Sequence, residues 1–183
     1  VVITVLNQMG LSFEQIKKSV SRIKAPAGRM ETVAYHNNSI VIDYAHTPDA
    51  VKKILDTMKG VATHNIYVVF GCTGDRDRLK RPIMTKIVLD NATKAIITID
   101  DPHEEDPKQI VADMVEGMEK ENYEVILDRK DAIRRGIDSL EQEDILLILG
   151  KGHEDVIIIK EQRIPFCDKD EVLSYLKEKE LFE

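Results

Sequence analysis

The sequence predicts an α/β fold: a doubly wound, mostly parallel, Rossmann-like sheet with helices on both faces, preceded by an N-terminal β-hairpin and a few helical turns. Three observations carry that expectation. Apolar runs of strand length ("NIYVVFG", "KAIITID", "YEVIL", "DILLILG") alternate with helix-like segments through the middle of the chain. The runs are mostly apolar and rich in Val, Ile and Leu, the mark of strands covered on both faces. The length of 183 residues suits one such domain with a short appendage.

Residues 1–24 are helical in character. Ser12 and Gln15 have capping-box spacing, and Phe13, Ile16 and Val20 follow at helical intervals. The stretch "APAG" at 25–28 breaks the pattern and marks a boundary. "METVAYH" and "SIVIDY" read as a hairpin around Asn37–Asn38. Thr47 is an N-cap with Pro48 at the first helical position, and the helix runs to about Lys59. A second helix runs from near Pro82 to about Asn91. Asp106 caps a third, with Pro107 in its first turn, and Asp128 caps a fourth through Leu140. "DVIIIK" is a further strand, and Asp168 opens the last helix.

The net charge of −7 without a basic block argues against nucleic acid or an anionic membrane as partner. No apolar run approaches the roughly 18 residues that span a bilayer. Cys72 and Cys167 form no CxxC pair, so neither a disulfide framework nor a zinc site is indicated, and a reducing cytoplasm fits. The chain opens on "VVITVLNQMG" without a Met, which suggests a piece of a longer protein.

The informative residues follow the strands. After "SIVI" comes "DYAHTPD", after "NIYVVF" comes "GCTGDRDRLKRP", after "KAIITI" comes "DDPHEEDP", and after "DILLIL" comes "GKGHED". In a parallel sheet these four loops share one rim, where ligands bind. Gly71 and Gly74 permit a tight turn and a close approach of backbone. Arg76, Arg78, Lys80 and Arg81 suit phosphate or carboxylate oxygens; the other reading is a solvated helix start with ion pairs among Asp75, Arg76, Asp77 and Arg78. GxxxxGK[ST] is absent. Asp43 either orients an imidazole or bonds a ribose hydroxyl, or it simply ends a strand while His46 packs beside Tyr44. Asp100, Asp101, His103, Glu104, Glu105 and Asp106 form an acidic wall that receives an ammonium group or a metal, or they cap the next helix. The glycines flanking Lys151 suggest backbone approaching a ligand, with Glu154 gripping an amine; the other reading is a plain Gly-Lys-Gly turn.

In combination these segments resemble a known family. "GRME" at 28–31, "DYAHTPDA" at 43–50, "GCTGDRDRLKRP" at 71–82, "DDPHEEDP" at 100–107 and "GKGHE" at 150–154 stand in the order of the C-terminal domain of the Mur ligases. Within that family they are most similar to the members that add the third amino acid to the peptidoglycan stem. Related amide ligases of the folylpolyglutamate or cyanophycin synthetase type, and a non-catalytic flavodoxin-like module, are the alternatives. The resemblance implies that residues 1–26 are the last helices of a central ATPase domain and that 27–183 are the C-terminal domain.

It also implies a chemistry. ATP phosphorylates a glutamyl carboxylate of UDP-N-acetylmuramoyl-L-alanyl-D-glutamate, and the amine of the incoming amino acid attacks the acyl phosphate. Arg29, Asp43, Tyr44 and His46 match positions near the nucleotide. Arg76 matches the arginine that binds the amino acid's carboxylate, Asp100, Asp101 and His103 match its recognition motif, and Gly150 and Glu154 match positions at its far end. The phosphate loop, the Mg2+ ligands and the modified lysine belong to the central domain. No catalytic residue and no metal ligand is therefore expected here, and the chain alone is expected not to turn over ATP. One departure stands out. Members that add meso-diaminopimelate usually carry Asp-Asn-Pro-Arg, whereas this chain has Asp100-Asp101-Pro102-His103. A neutral imidazole lacks the arginine fork, and Glu104, Glu105 and Asp106 add negative field, so lysine or another basic amino acid is favoured over diaminopimelate, which stays open along with a paralogue acting on another substrate.

Overall fold

The computed structural model describes residues 2–20 and 26–181. Helices α1 (Val2–Gln8) and α2 (Phe13–Val20) open the chain, separated by a turn at Met9–Gly10. The cap between them is the expected box. Gln15 N–H donates to Ser12 Oγ at 3.3 Å, and Ser12 N–H donates to Gln15 Oε1 at 2.8 Å. Residues 21–25, where the boundary segment begins, lie outside the described residues.

Six strands form the main sheet: β1 (Glu31–Tyr35), β2 (Asn38–Asp43), β3 (Ile66–Cys72), β4 (Lys94–Ile99), β5 (Tyr123–Val125) and β6 (Ile145–Leu149). Their order is β1-β2-β6-β3-β4-β5. Only β1 runs antiparallel to its neighbour. The β1–β2 turn is His36–Asn37, one residue earlier than expected, because Asn38 already pairs with Tyr35. Asn38 is drawn inward, where its side chain accepts from Asp144 N–H at 2.9 Å and donates to the Glu141 carbonyl at 3.3 Å.

Helices α3 (Pro48–Lys59), α4 (Lys80–Asn91) and α5 (Pro107–Val115) cover one face, and α6 (Arg129–Asp138) and α7 (Asp168–Glu180) cover the other. Strand alternation divides the core accordingly. In β6, Ile145, Leu147 and Leu149 face α3–α5, while Leu146 and Ile148 face α6 and α7. Both faces are apolar, so the strand reads as one continuous run. Fully burying each such side chain contributes about 1.5–3 kcal/mol.

The predicted caps are in place. Thr47 Oγ1 accepts from Ala50 N–H, Asp106 from Lys108 N–H and Asp128 from Asp131 N–H. One helix start differs from expectation. Helix α4 begins at Lys80, so Pro82 lies in its first turn, where a missing N–H breaks no helical bond. Asp168 opens α7 as expected, with its carboxylate buried against Arg129. The fourth helix ends at Asp138, two residues short of Leu140.

Strands β7 (Val156–Ile159) and β8 (Gln162–Pro165) form a separate antiparallel ribbon. β8 is legible in no apolar run, since its four residues are exposed and it ends on proline. The ribbon is fastened to the loop after β4: His103 N–H donates to the Ile158 carbonyl at 3.0 Å, and Lys160 N–H to the His103 carbonyl at 2.8 Å. Among the described residues, no helix is long and apolar enough to cross a membrane.

Candidate functional site

The carboxyl ends of β2, β3, β4 and β6 are level. Asp43 pairs with Leu149, and Phe70 pairs with both Leu149 and Ile97. The four charged loops therefore leave one rim and enclose a cleft of about 540 Å³. Tyr44, His46, Arg76, Asp100, Asp101, His103, Gly150 and Glu154 all line it. Arg29 and Asp43 do not. Asp43 lies beneath the rim with both carboxylate oxygens on backbone: Oδ2 accepts from Met30 N–H at 2.8 Å and Oδ1 from Ala45 N–H at 2.9 Å. It orients no imidazole; it fastens the 28–31 loop to the end of β2. Arg29 stands outside the cleft, its guanidinium 4.7 Å from the Tyr44 ring centroid.

The basic loop after β3 divides its charges. Arg81 is buried and donates to Glu105 at 2.8 and 3.0 Å and to Asp113 at 2.7 Å. Arg78 also pairs with Glu105, at 2.9 Å, and Lys80 lies 3.7 Å from Asp77. Arg76 alone among these four bases makes no hydrogen bond or ion pair among the described residues, and it is exposed at the cleft. Of the two readings of this loop, pairing holds for Arg78 at the surface and for Arg81 in the interior, with Glu105 rather than Asp75 or Asp77 as the common partner.

The same pairing corrects the acidic wall. Glu105 also accepts from Asp75 N–H and is charge-paired with Arg78 and Arg81, so its charge is not free for a ligand, while Asp106 caps α5. Arg81's hydrogen bonds hold the Glu105 carboxyl down at about 2. A depressed carboxyl contributes stability that is present above its unfolded value of 4.5 and is lost as pH falls toward 2. Glu105→Gln is accordingly expected to flatten the fall in melting temperature over that acid window. An unchanged slope in thermal unfolding across pH would refute the pairing.

Two glycines set how closely the loops approach. At Gly74 an added Cβ would lie 1.9 Å from the Pro102 carbonyl oxygen, and Gly74 N–H donates to the Asp101 carbonyl at 2.8 Å. This contact joins the basic loop to the acidic one. Gly74→Ala is expected to destabilise the fold by about 1–3 kcal/mol, as overpacking does, and denaturant titration measures it. Gly150 has φ of 115°, and a Cβ there would lie 2.5 Å from Asp100 Oδ2.

Behind the wall is Lys151, fully buried at the centre of the Gly-Lys-Gly turn. Its ammonium lies 2.9 Å from Asp101, 3.2 Å from Glu154 and 3.6 Å from Asp100. The signal was present in the sequence as one lysine between glycines beside a surplus of carboxylates. Burial pushes the Asp100 carboxyl up to about 6, against the pull of Arg129 and Lys151. The three carboxylates come within 4.8 Å of one another, but Lys151 already stands among them, so this donor set does not fit Mg2+.

At the mouth, the Tyr44 ring is flanked by His46 at 4.6 Å and His153 at 5.3 Å between centroids. His46 Nδ1 is 2.8 Å from the Tyr44 carbonyl oxygen. A carbonyl only accepts, so Nδ1 carries the proton of that bond. The Tyr44 hydroxyl donates to Glu154 Oε1 at 3.2 Å.

The fold and the cleft define a Rossmann-like α/β domain with a charged cleft at the carboxyl ends of its parallel strands. The chain belongs to the Mur ligase family: its glutamate ligase domain model, "Mur ligase, glutamate ligase domain", matches residues 28–152. The chain is 42% identical over 174 residues to a UDP-N-acetylmuramoyl-L-alanyl-D-glutamate–2,6-diaminopimelate ligase of Rickettsia montanensis, covering 94% of this chain and 36% of that one. It is 46% identical over 167 residues to a second such ligase of Clostridium acetobutylicum, covering 90% and 35%. A solved structure of a ligase of the same description superposes with a TM-score of 0.82 at 38% identity, covering 97% of this chain and 37% of that one. The chain thus spans about a third of the length of the relatives it matches.

Proposed function

We propose that the chain is the C-terminal domain of a cytoplasmic, ATP-dependent amide ligase of peptidoglycan precursor synthesis, adding the third amino acid to UDP-N-acetylmuramoyl-L-alanyl-D-glutamate. Residues 1–26 belong to the preceding central domain in this reading, and 27–183 bind the incoming amino acid and part of ATP. The observation that carries it is Arg76: a guanidinium without a partner among the described residues, exposed at a cleft that Asp100, Asp101 and Glu154 also line.

ATP supplies the activation of the glutamyl carboxylate, with Mg2+ held by the central domain. This chain supplies position and charge. Arg76 takes the amino acid's carboxylate in a two-pronged bond. Asp100, Asp101 and Glu154 present three carboxylates against one ammonium, Lys151, which suits a cationic side-chain end. His103 stands at the fourth position of the motif and lines the cleft. Gly150 brings backbone to the wall. Arg29, Tyr44 and His46 form the rim for the nucleotide, with Asp43 holding Arg29's loop in place. Closure against the central domain excludes the water that would hydrolyse an acyl phosphate.

The relatives' names specify diaminopimelate. Here His103 replaces the arginine of the Asp-Asn-Pro-Arg motif, and the wall keeps its carboxylate surplus even though Glu105 and Asp106 are engaged elsewhere. A lysine-like substrate follows. Amino-acid-dependent phosphate release by the full-length protein, with the UDP-muramoyl dipeptide and lysine, ornithine or diaminopimelate, tests this. Turnover with diaminopimelate and none with lysine would overturn the specificity; no turnover with any amino acid would overturn the ligase reading. The 183 residues alone are expected to release no phosphate.

A further inference from the structure

Lys151 lies behind the cleft wall rather than in it. It is fully buried and does not line the cleft, whereas Asp100, Asp101 and Glu154, which it contacts, all do. Each contact uses one carboxylate oxygen from the rear. Asp101 Oδ1 accepts from Lys151 at 2.9 Å and from Ile158 N–H at 2.8 Å, which leaves Oδ2 outside these bonds. Glu154 Oε2 accepts from Lys151 at 3.2 Å while Oε1 accepts from the Tyr44 hydroxyl. The backbone makes this possible: Gly150 and Gly152 both take positive φ, and Glu154 N–H donates to the Lys151 carbonyl at 3.0 Å, folding Glu154 back over the ammonium.

We propose that Lys151 is a positioning residue of the amino-acid pocket: its buried ammonium aims Asp101 and Glu154 at the incoming amino acid and offsets the repulsion among the wall carboxylates. The proposal rests on the amino-acid-pocket reading above. Through Glu154 the same ammonium is tied to Tyr44 and so to the rim. Burial works against the Lys151 charge, but Asp100 and Asp101 more than offset it and keep the ammonium protonated. Asp100 in turn faces Arg129 and Asp168 from α6 and α7, Lys151 and Asp101 from the loops, Cys72 from β3, and Tyr44. Lys151 is one of the two cations that draw Asp100 down, so its loss raises Asp100 further.

The test is Lys151→Met in the intact protein, with two readouts. In a carboxyl-carbon NMR titration, the Asp100 midpoint is expected to rise above its value of about 6; an unmoved midpoint overturns the counter-ion role. In steady-state kinetics, KM for the amino acid is expected to rise roughly tenfold or more while KM for ATP changes by less than about twofold. Glu154→Gln is expected to raise the amino-acid KM by a clearly smaller factor in the Lys151→Met background than in the wild type, because the part of its effect that depends on the Lys151 contact is already gone. Equal rises in both KM values, or full additivity, overturn the proposal. Should Lys151→Met fail to fold, the wild-type protein decides: the Lys151 ammonium nitrogen resonance is expected to shift on saturation with lysine, and an unmoved resonance overturns the proposal. A wild-type protein that turns over no amino acid would sink the ligase reading while the Asp100 titration still reports on Lys151.

Discussion

Arg129→Met is expected to destabilise the protein by about 3–5 kcal/mol, the penalty for leaving one partner of a buried ion pair alone. The pair is fully buried and bidentate: Arg129 Nε and Nη2 each donate to Asp168 at 2.8 Å. Burial works against the guanidinium charge, and the Asp168 carboxylate more than offsets it, so Arg129 is held charged more firmly than usual. Arg129 also donates to the carbonyls of Ile99 at 3.1 Å and Leu149 at 3.0 Å. These are the last residues of β4 and β6, and the next residues in the chain are Asp100 and Gly150. The ion pair is therefore the underside of the cleft wall, joining α6 and α7 to the strand ends that carry the site. Thermal unfolding is the measurement, with an expected fall of roughly 6–20 °C for a domain of this size. A loss under about 1 kcal/mol would show that the pair is not desolvated as described. Replacing both partners with apolar residues, Arg129→Met with Asp168→Leu, is expected to recover much of the loss, because no lone buried charge then remains.

The Arg129 pair also marks how far the sequence reading reached. Strand and helix positions were legible because their signals are local: apolar runs rich in Val, Ile and Leu, and Thr47, Asp106 and Asp128 each followed by a helix. The convergence of Tyr44, Arg76, Asp100 and Glu154 was legible from topology alone, since parallel strands place the loops that follow them on one rim. The pairing of charges across that rim was not. Glu105 and Arg81 are 24 residues apart and Arg129 and Asp168 are 39 apart, and no local pattern says which carboxylate meets which base. Asp168 at the start of a helix carries no local sign of its partner, because an exposed and a buried aspartate have the same flanks. Lys151 looked like a turn residue because its three partners come from two loops. Sequence pattern locates a charged cleft, and three-dimensional pairing decides which of its charges remain for a ligand.

That distinction gives the second large effect. In the full-length protein, Arg76→Ala is expected to lower kcat/KM for the amino acid by roughly 10- to 150-fold, the loss of about 1.5–3 kcal/mol from a charge-assisted bond. Its neighbour Arg78→Ala is expected to change it by less than about threefold, since Arg78 is spent on Glu105 at a solvent-exposed position. A reading based on net positive charge predicts similar losses for both variants, because the loop loses one charge either way. Arg76→Lys separates charge from geometry: it keeps the charge but not the fork, so partial recovery is expected, through a lower KM than that of Arg76→Ala. KM for ATP is expected to stay within about twofold throughout. Equal effects of Arg76→Ala and Arg78→Ala on the amino-acid parameters would remove Arg76 from the pocket, and with it the observation that orients the incoming amino acid, carboxylate toward the basic loop and side chain toward the Lys151-backed wall.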